Sequence, residues 1–279
     1  MILINNKEVK LDKFPDGTLL LKENINAYIG IDIFFQAKTN SVDFTWRYEN
    51  EEELIALIYL VNHFRSHGFA GIHLKMPYIP NARMDRVKNS SDVFTLKYFA
   101  EIINWLNFET VSVLDPHSYV SEALINNLIV DNPSRYIQNS IVNICERKDI
   151  STESLMLFYP DEGAMKRYSN LTLVPYAFGI KKRDWATGQI QGLDVSGAID
   201  EIKDKVILIV DDICSKGGTF YHSAKRLKEL GAKEIYLYVT HCENTILKGE
   251  LLTSGLIEKV YTTNSIFTKE HEKIEVFKL

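Results

Sequence analysis

Val206-Ile207-Leu208-Ile209-Val210 runs without interruption into Asp211-Asp212-Ile213-Cys214-Ser215-Lys216-Gly217-Gly218-Thr219, and this stretch narrows the possible folds most. Consecutive aliphatic residues predict a strand buried on both faces, because a half-exposed strand would alternate with polar residues. Such a strand belongs in a layered α/β sheet. The chain then turns at Gly217 and Gly218, where backbone can approach a ligand closely, and enters a helical pattern from Phe220 to Leu230, closed by Gly231. Ligands of open α/β sheets bind at strand ends of this kind. Free N–H groups at the helix start suit a phosphate, and paired carboxylates suit ribose hydroxyls or a hydrated Mg²⁺. An ordinary βα turn with an acidic N-cap is the plain alternative. The full order of apolar run, two acids, Gly-Gly-Thr and helix speaks against it.

The 279 residues suffice for one large or two moderate domains, and 46% hydrophobic and 25% charged residues are ordinary for a globular protein. A net charge of -5 argues against a nucleic-acid partner. No apolar stretch approaches membrane-spanning length, and Met1 to Lys10 lacks the charged-then-apolar order of a signal peptide, so a soluble, cytoplasmic chain with no membrane partner is expected. Cys145, Cys214 and Cys242 are widely spaced and odd in number, which indicates neither a disulfide framework nor a zinc site. Cys214 and Cys242 each follow a strand pattern and read as small buried packing residues.

Along the chain, Phe14-Pro15-Asp16-Gly17-Thr18 reads as a turn. Strands are expected at Ile29 to Gln36, Gly71 to Met76, Thr110 to Leu114, Ser154 to Phe158, Leu171 to Ala177, Val206 to Val210 and Lys233 to Thr240. Helices are expected at Glu51 to Phe64, with Leu54, Leu57, Ile58 and Val61 on one side, at Phe94 to Trp105, after the glycine turn, and near Thr245 to Ser254. Glu51, Glu52 and Glu53 favour the helix dipole in a first turn and need no other role. Strands alternating with helices imply parallel sheets with right-handed crossovers. The length fits two of them better than one, with residues 1–136 and 137–279 as the domains.

Polar clusters stand at four strand ends: Arg83, Asp85 and Arg86; Asp115 and His117; Asp161 with Lys166 and Arg167; and Asp211 with Asp212 before the glycine turn. In a doubly wound sheet the strand C-termini open on one edge, where distant residues converge. Guanidinium groups suit phosphate oxygens, and carboxylates beside an imidazole suit a Mg²⁺ shared with phosphates. A surface salt-bridge cluster is the alternative for Arg83, Asp85 and Arg86. His117 alone reads as a structural histidine. Asp115 two positions earlier, on the same side of an extended chain, makes a metal role competitive. Lys181 and Arg183 lie in a polar stretch without hydrophobic period, which reads as a mobile flap or as a solvated charge run.

These motifs resemble those of the ribose-phosphate diphosphokinases. Pro77-Tyr78 with Asn81 to Arg86 looks like that family's ATP loop, and Leu114-Asp115-Pro116-His117 like its metal-binding motif. Pro160 to Arg167 resembles its pyrophosphate loop, Lys181-Lys182-Arg183 its catalytic flexible loop, and Val206 to Thr219 its ribose-phosphate loop. The motifs keep the family order over residues 14 to 268, whereas the glycine turn alone is shared with type I phosphoribosyltransferases. The resemblance implies an α/β fold of two tandem doubly wound, type I phosphoribosyltransferase-like domains, the first for ATP and the second for ribose phosphate. It implies Mg²⁺-dependent transfer of the β,γ-diphosphoryl group of ATP to the anomeric hydroxyl of a 5-phosphoribosyl acceptor, with release of AMP, in nucleotide biosynthesis. On this resemblance Arg83, Asp85 and Arg86 hold ATP, and Phe14 and Asp16 reach the adenine of a neighbouring subunit in a homodimer or higher homo-oligomer. His117, Asp161 and Asp211 serve Mg²⁺. Asp211, Asp212, Ser215, Lys216, Gly217, Gly218 and Thr219 bind the ribose phosphate, and Lys181 and Arg183, with His117, carry the catalysis.

The chain also departs from the family. A further strand and helix usually precede the Phe14 motif and a longer helix closes the family's chains, so hexamers and ADP control are not implied. Thr18 replaces a usual Glu and Met84 a usual Gln. Ser215-Lys216-Gly217-Gly218-Thr219 stands where the family typically reads Asp-Thr-Cys-Gly-Thr, an exchange of an acid for a serine with a lysine added. That change admits a second acceptor, ADP-ribose, whose pyrophosphorylated form serves NAD rebuilding in some divergent relatives. A phosphoribosyltransferase would leave Arg83, Asp85 and His117 without a task, and a non-catalytic partner subunit would be expected to have lost the catalytic set.

Overall fold

The computed structural model describes every residue except 29, 33–36 and 184–189, and for 30–32, 37–39, 181–183 and 190–193 it describes the backbone alone. The chain forms two compact units, Met1–Asp131 and Asn132–Leu279. In the first, the elements are β1 (Ile2–Ile4), β2 (Lys7–Glu8), β3 (Asp12–Lys13), β4 (Leu19–Leu20), β5 (Gly30–Asp32), β6 (Ala37–Thr39), β7 (Ser41–Trp46), α1 (Glu52–Ser66), β8 (Gly71–Lys75), α2 (Thr95–Trp105), β9 (Thr110–Leu114), α3 (Tyr119–Leu124) and β10 (Leu128–Asp131). The six-stranded sheet has the order β10-β9-β8-β7-β1-β2. Strands β7 to β10 pair in parallel, and β1 is antiparallel to β7 and β2. Along β7 and β8 burial alternates: Val42, Phe44, Trp46, Ile72 and Leu74 are buried, while Asp43 and Lys75 are exposed. Ala56, Leu57, Leu60, Val61 and Phe64 of α1 join the same core, a helical face meeting the apolar face of the pleat.

One acid of α1 does more than was expected of it. Glu53 is 3% exposed, and its carboxylate accepts the Trp46 indole N–H at 3.0 Å and the Glu49 backbone N–H at 2.9 Å. The reading of Glu53 as a mere dipole partner is therefore corrected. Periodicity cannot show that a buried indole and a loop amide need an acceptor there.

The second unit comprises α4 (Ser134–Lys148), β11 (Leu155–Tyr159), α5 (Glu162–Tyr168), β12 (Tyr176–Arg183), β13 (Ile190–Gly197), β14 (Val206–Cys214), α6 (Gly218–Glu229), β15 (Glu234–Cys242), β16 (Lys259–Thr263) and β17 (Ile274–Phe277). Its sheet has the order β13-β12-β11-β14-β15-β16-β17, parallel except where β13 pairs with β12. Val206 to Val210 are all buried. Ile207 and Ile209 pack with Phe220, Ala224 and Leu227 of α6, and Leu208 and Val210 are equally enclosed on the other face. Both units are thus α/β with parallel-rich sheets, the class that alternating strands and helices imply.

Several boundaries differ from expectation. β14 continues to Cys214 instead of ending at the acids, because the ladder with β15 runs on through Ile213 opposite His241 and Cys214 opposite Cys242. That register also buries the two cysteines as neighbours on adjacent strands. The strand expected from Leu171 begins only at Tyr176, and Leu173 is fully exposed. Lys181 to Arg183 belong to β12, where Lys181 pairs with Leu193 and Arg183 with Ile190, so a polar run without hydrophobic period proves to be a ladder strand. The helix expected near Thr245 is a 3-10 segment, Asn244–Lys248. Of the strand expected at Ile29 to Gln36, Gly30–Asp32 is present, and residues 29 and 33–36 lie outside the described residues. Among the described residues no helix is long and apolar enough to cross a membrane.

Replacing Glu53 with Ala leaves the buried Trp46 indole N–H, the Glu49 N–H and the Met1 ammonium without their acceptor. The expected loss is about 2 kcal/mol of unfolding free energy by urea titration. A loss below about 0.5 kcal/mol would show that water replaces the carboxylate.

Candidate functional site

In the first unit, β8 delivers the segment from Met76 to Arg86. Ile79 and Ala82 are buried and anchor it, and the Leu114 N–H donates to the Pro77 carbonyl at 3.0 Å, tying this loop to the end of β9. Arg83 and Arg86 are exposed, while Asp85 is 6% exposed. The Arg86 guanidinium grips the Asp85 carboxylate with two bonds, Nε to Oδ1 at 2.7 Å and Nη2 to Oδ2 at 2.9 Å. Those bonds, with support from the charge of His117, hold the Asp85 carboxyl below the ordinary carboxylate range against the opposing effect of burial. Two sequence clusters, Asp85 with Arg86 and His117, therefore meet at one edge of this sheet.

Asp115 behaves differently from expectation. Its φ is +45°, its N–H donates to the Asp131 carbonyl at 2.9 Å, and it is 3% exposed. The chain leaves the extended conformation at that residue, so the argument that Asp115 and His117 share a side of a strand fails. Phe14 and Asp16 sit on the hairpin between β3 and β4. Phe14 is 48% exposed. The Asp16 carboxylate accepts from the Thr18 N–H at 3.0 Å and the Thr18 hydroxyl at 2.7 Å, bonds that lower its pKa.

In the second unit, Asp161 follows β11 and caps α5, its Oδ1 accepting the Ala164 N–H at 3.1 Å. From the end of α5, Arg167 Nη1 stands 3.3 Å from Oδ2 of the buried Asp212. The Asp212 N–H donates to the Asp211 carboxylate at 3.0 Å. Burial pushes the Asp211 carboxyl well above the ordinary range, and the negative charges of Asp212 and, more weakly, Asp161 push the same way. Three acids from two strand ends thus influence one another. Gly217 has φ +83°, and a Cβ on it would lie 2.8 Å from the Leu251 side chain, so only glycine makes this turn. A Cβ on Gly218 would meet open space, and Lys216, Gly218 and Thr219 are exposed. The first helical bond of α6 runs from the Tyr221 N–H to the Gly217 carbonyl at 2.9 Å, and the amides just before it face the helix entrance.

Arg167 is the residue that sequence reasoning underweighted. In the sequence it stands in a cluster with Asp161 and Lys166, without a role of its own. Its signal was modest, a cation at the last turn of a short helix that follows a strand end. Lys166, next to it, is occupied in an exposed pair with Glu162 at 2.8 Å. The side chains of Lys181 and Arg183 lie outside the described residues. Among the described residues no three His, Cys, Asp or Glu side chains form a ready metal cage. The donor chemistry of Asp211 and Asp161 nevertheless fits Mg²⁺, which takes few protein ligands and would relieve the repulsion between carboxylates.

Comparison with known proteins gives four matches. Residues 169–251 match the model of the phosphoribosyl transferase domain. The chain is 29% identical over 265 residues to the chloroplastic ribose-phosphate pyrophosphokinase 2 of Arabidopsis thaliana, covering 93% of this chain and 62% of that protein. With the ribose-phosphate pyrophosphokinase of Clostridium perfringens it is 26% identical, over 97% of this chain and 82% of that one. The chain therefore spans about three fifths of the plant relative's length. Its fold matches the crystal structure of phosphoribosylpyrophosphate synthetase from Mycobacterium smegmatis with a TM-score of 0.73 at 17% identity, over 97% of this chain and 86% of that one.

The raised Asp211 pKa has a stability consequence. A carboxyl held above its ordinary value of 3.8 stabilises the fold fully below that pH, and the contribution is lost as pH rises through the raised value. Asp211→Asn should therefore melt about 2–5 °C higher than the parent at pH 7.5 without ligands, with the gap closing toward pH 4. Identical melting at both pH values would show that the two acids do not burden the fold.

Proposed function

We propose, from the premise that the chain belongs to the ribose-phosphate pyrophosphokinase family, that it transfers the β,γ-diphosphoryl group of ATP to the anomeric hydroxyl of ribose 5-phosphate. The observation that carries this reading is the strand end of β14. The half-buried Asp211 and the buried Asp212 sit beside a glycine turn whose helix entrance is open, which suits a ribose and a phosphate held a few bonds apart.

The residues divide the work as follows. Asp211 and Asp212 face the ribose hydroxyls, and the amides from Ser215 to Thr219 cradle the 5-phosphate. Arg83 binds phosphate oxygens of ATP. Asp85, fixed by Arg86, is an ionised acceptor beside His117. Phe14 and Asp16, on an exposed hairpin, serve the adenine of a neighbouring copy in a homo-oligomer. The anomeric oxygen attacks the β-phosphorus, the bond from that phosphorus to the α,β-bridging oxygen breaks, AMP leaves with the bond's electron pair, and the hydroxyl proton is released. His117 would hold a Mg²⁺ that travels with ATP, and Asp161 and Asp211 one that serves the acceptor; such ions would supply charge neutralisation for the phosphoryl oxygens. Lys181 and Arg183 neutralise the charge that develops as the diphosphoryl group moves.

A second acceptor is favoured by one observation. Lys216 is exposed beside the phosphate turn, where added positive charge suits a pyrophosphate-linked ribose such as ADP-ribose. Incubation with ATP and Mg²⁺ and each acceptor separately, following AMP, decides between them. AMP with ribose 5-phosphate is expected. AMP with ADP-ribose alone would replace the first acceptor by the second, and AMP with neither would end the diphosphokinase reading.

Lys181→Ala should lower kcat about a hundredfold or more while the Kd for ATP stays within about threefold, because the charge it answers exists only in the transition state. Unchanged turnover would remove Lys181 from the reaction.

A further inference from the structure

The segment after β15 touches the glycine turn at several points. The Glu243 N–H donates to the Cys214 carbonyl at 2.8 Å, continuing the strand ladder to the edge of the turn. The Thr245 hydroxyl donates to Glu243 Oε2 at 3.0 Å, and Thr245 Oγ1 lies 3.2 Å from Ser215 Oγ. A hydroxyl has one proton, and Thr245 spends its own on the carboxylate. Ser215 must then be the donor in the second bond. Gly249 stands against the backbone of Lys216, where a Cβ would come within 2.8 Å of the carbonyl carbon and 3.2 Å of the Cα. Its φ of -96° is open to any residue, so glycine is required there for space and not for conformation. The side chain of the buried Leu251 fills the room beneath Gly217.

We propose that Glu243, Thr245 and Gly249 are positioning residues for the acceptor's phosphate, which brace the glycine turn and orient the Ser215 hydroxyl away from the ligand toward Thr245. The inference rests on the acceptor reading above and refines it. Ser215 becomes a post that fixes the turn. The dianion is left to the amides from Lys216 to Thr219, the Thr219 hydroxyl and the Lys216 ammonium. An ordered relay from Ser215 through Thr245 to Glu243 fixes the turn before the ligand arrives, and preorganised donors bind an anion better than donors that must be gathered.

The test compares Gly249→Ala, Thr245→Val, Thr245→Ser, Ser215→Ala and the Ser215→Ala/Thr245→Val double variant in the full chain. For each, KM values for ribose 5-phosphate and ATP are measured with kcat, and the Kd for ribose 5-phosphate by calorimetry. Gly249→Ala should raise the KM for ribose 5-phosphate about tenfold and leave the KM for ATP within about twofold. Ser215→Ala and Thr245→Val should each raise the ribose 5-phosphate KM about three- to fivefold, the double variant no further than the worse single one, and Thr245→Ser should restore the parent value. A general loss of structure would raise both KM values together, and that outcome overturns the brace. Additive effects at Ser215 and Thr245, or a Ser215→Ala loss with Thr245→Val silent, would assign the serine proton to the phosphate and overturn it as well. If ribose 5-phosphate binds with this pattern of Kd values while no AMP forms, the brace stands and the reaction reading fails. If AMP forms normally and the variants leave Kd unchanged, the brace alone fails, and a parent that binds no ribose 5-phosphate overturns both.

Discussion

The second unit depends on the ladder between β14 and β15, which continues past the point where the apolar run stops. Because Ile213 and Cys214 are still paired with His241 and Cys242, Asp211 and Asp212 are strand residues with fixed directions. Acids on a loop would turn toward water and relax. Acids on a central strand between buried neighbours cannot, so they bear the desolvation and mutual repulsion that raise the Asp211 pKa. Arg167 answers part of that charge at Asp212, and the glycine turn begins where the ladder ends. The rigidity that burdens the fold also places two carboxylates and a helix entrance at a constant separation. A site for a compact ligand with hydroxyls at one end and phosphate at the other needs that constancy.

The first unit reaches a similar end by other means. Its sheet buries one face by alternation along β7 and β8, and the loops that follow β8 and β9 are tied together by backbone, through the bond from Leu114 to Pro77. Asp85 is kept ionised by the two bonds from Arg86, the opposite electrostatic situation to Asp211. A carboxylate already satisfied by a guanidinium is suited to hold geometry around a polyanion. A carboxylate crowded by its own kind is suited to receive a cation or hydroxyl donors.

Legibility in the sequence followed how local each determinant was. The β14 strand, its glycine turn and α6 were readable because apolar continuity and positive-φ glycines are local signals, and the motif order supplied the family. β7 was not anticipated, since Ser41-Val42-Asp43-Phe44-Thr45-Trp46 alternates too briefly to stand out before a helix rich in acids. Lys181 to Arg183 show no hydrophobic period, yet they pair with β13, because ladder bonds use the backbone and are indifferent to side-chain polarity. The left-handed backbone at Asp115 and the contact of Gly249 with Lys216 depend on partners distant in the chain, and no spacing rule contains them.

The buried Glu53 and the half-buried Asp211 show how the surroundings of an acid decide its cost to the fold. Glu53 is almost wholly enclosed; its Oε2 accepts an indole N–H and a backbone N–H, and its Oε1 is paired with the Met1 ammonium, partners that are present whether or not a ligand arrives. Among the described residues, Asp211 accepts the N–H of its own neighbour and faces the charges of Asp212 and Asp161. An enclosed carboxylate surrounded by donors is complete, and removing it can only cost stability. One beside other carboxylates is incomplete, and above its raised pKa the fold bears a free-energy cost that an outside cation or donor relieves. Burial alone therefore does not mark a site; the sign of what surrounds the buried charge does. By that criterion the proposed chemistry belongs at the end of β14, where the apolar core gives way to charge.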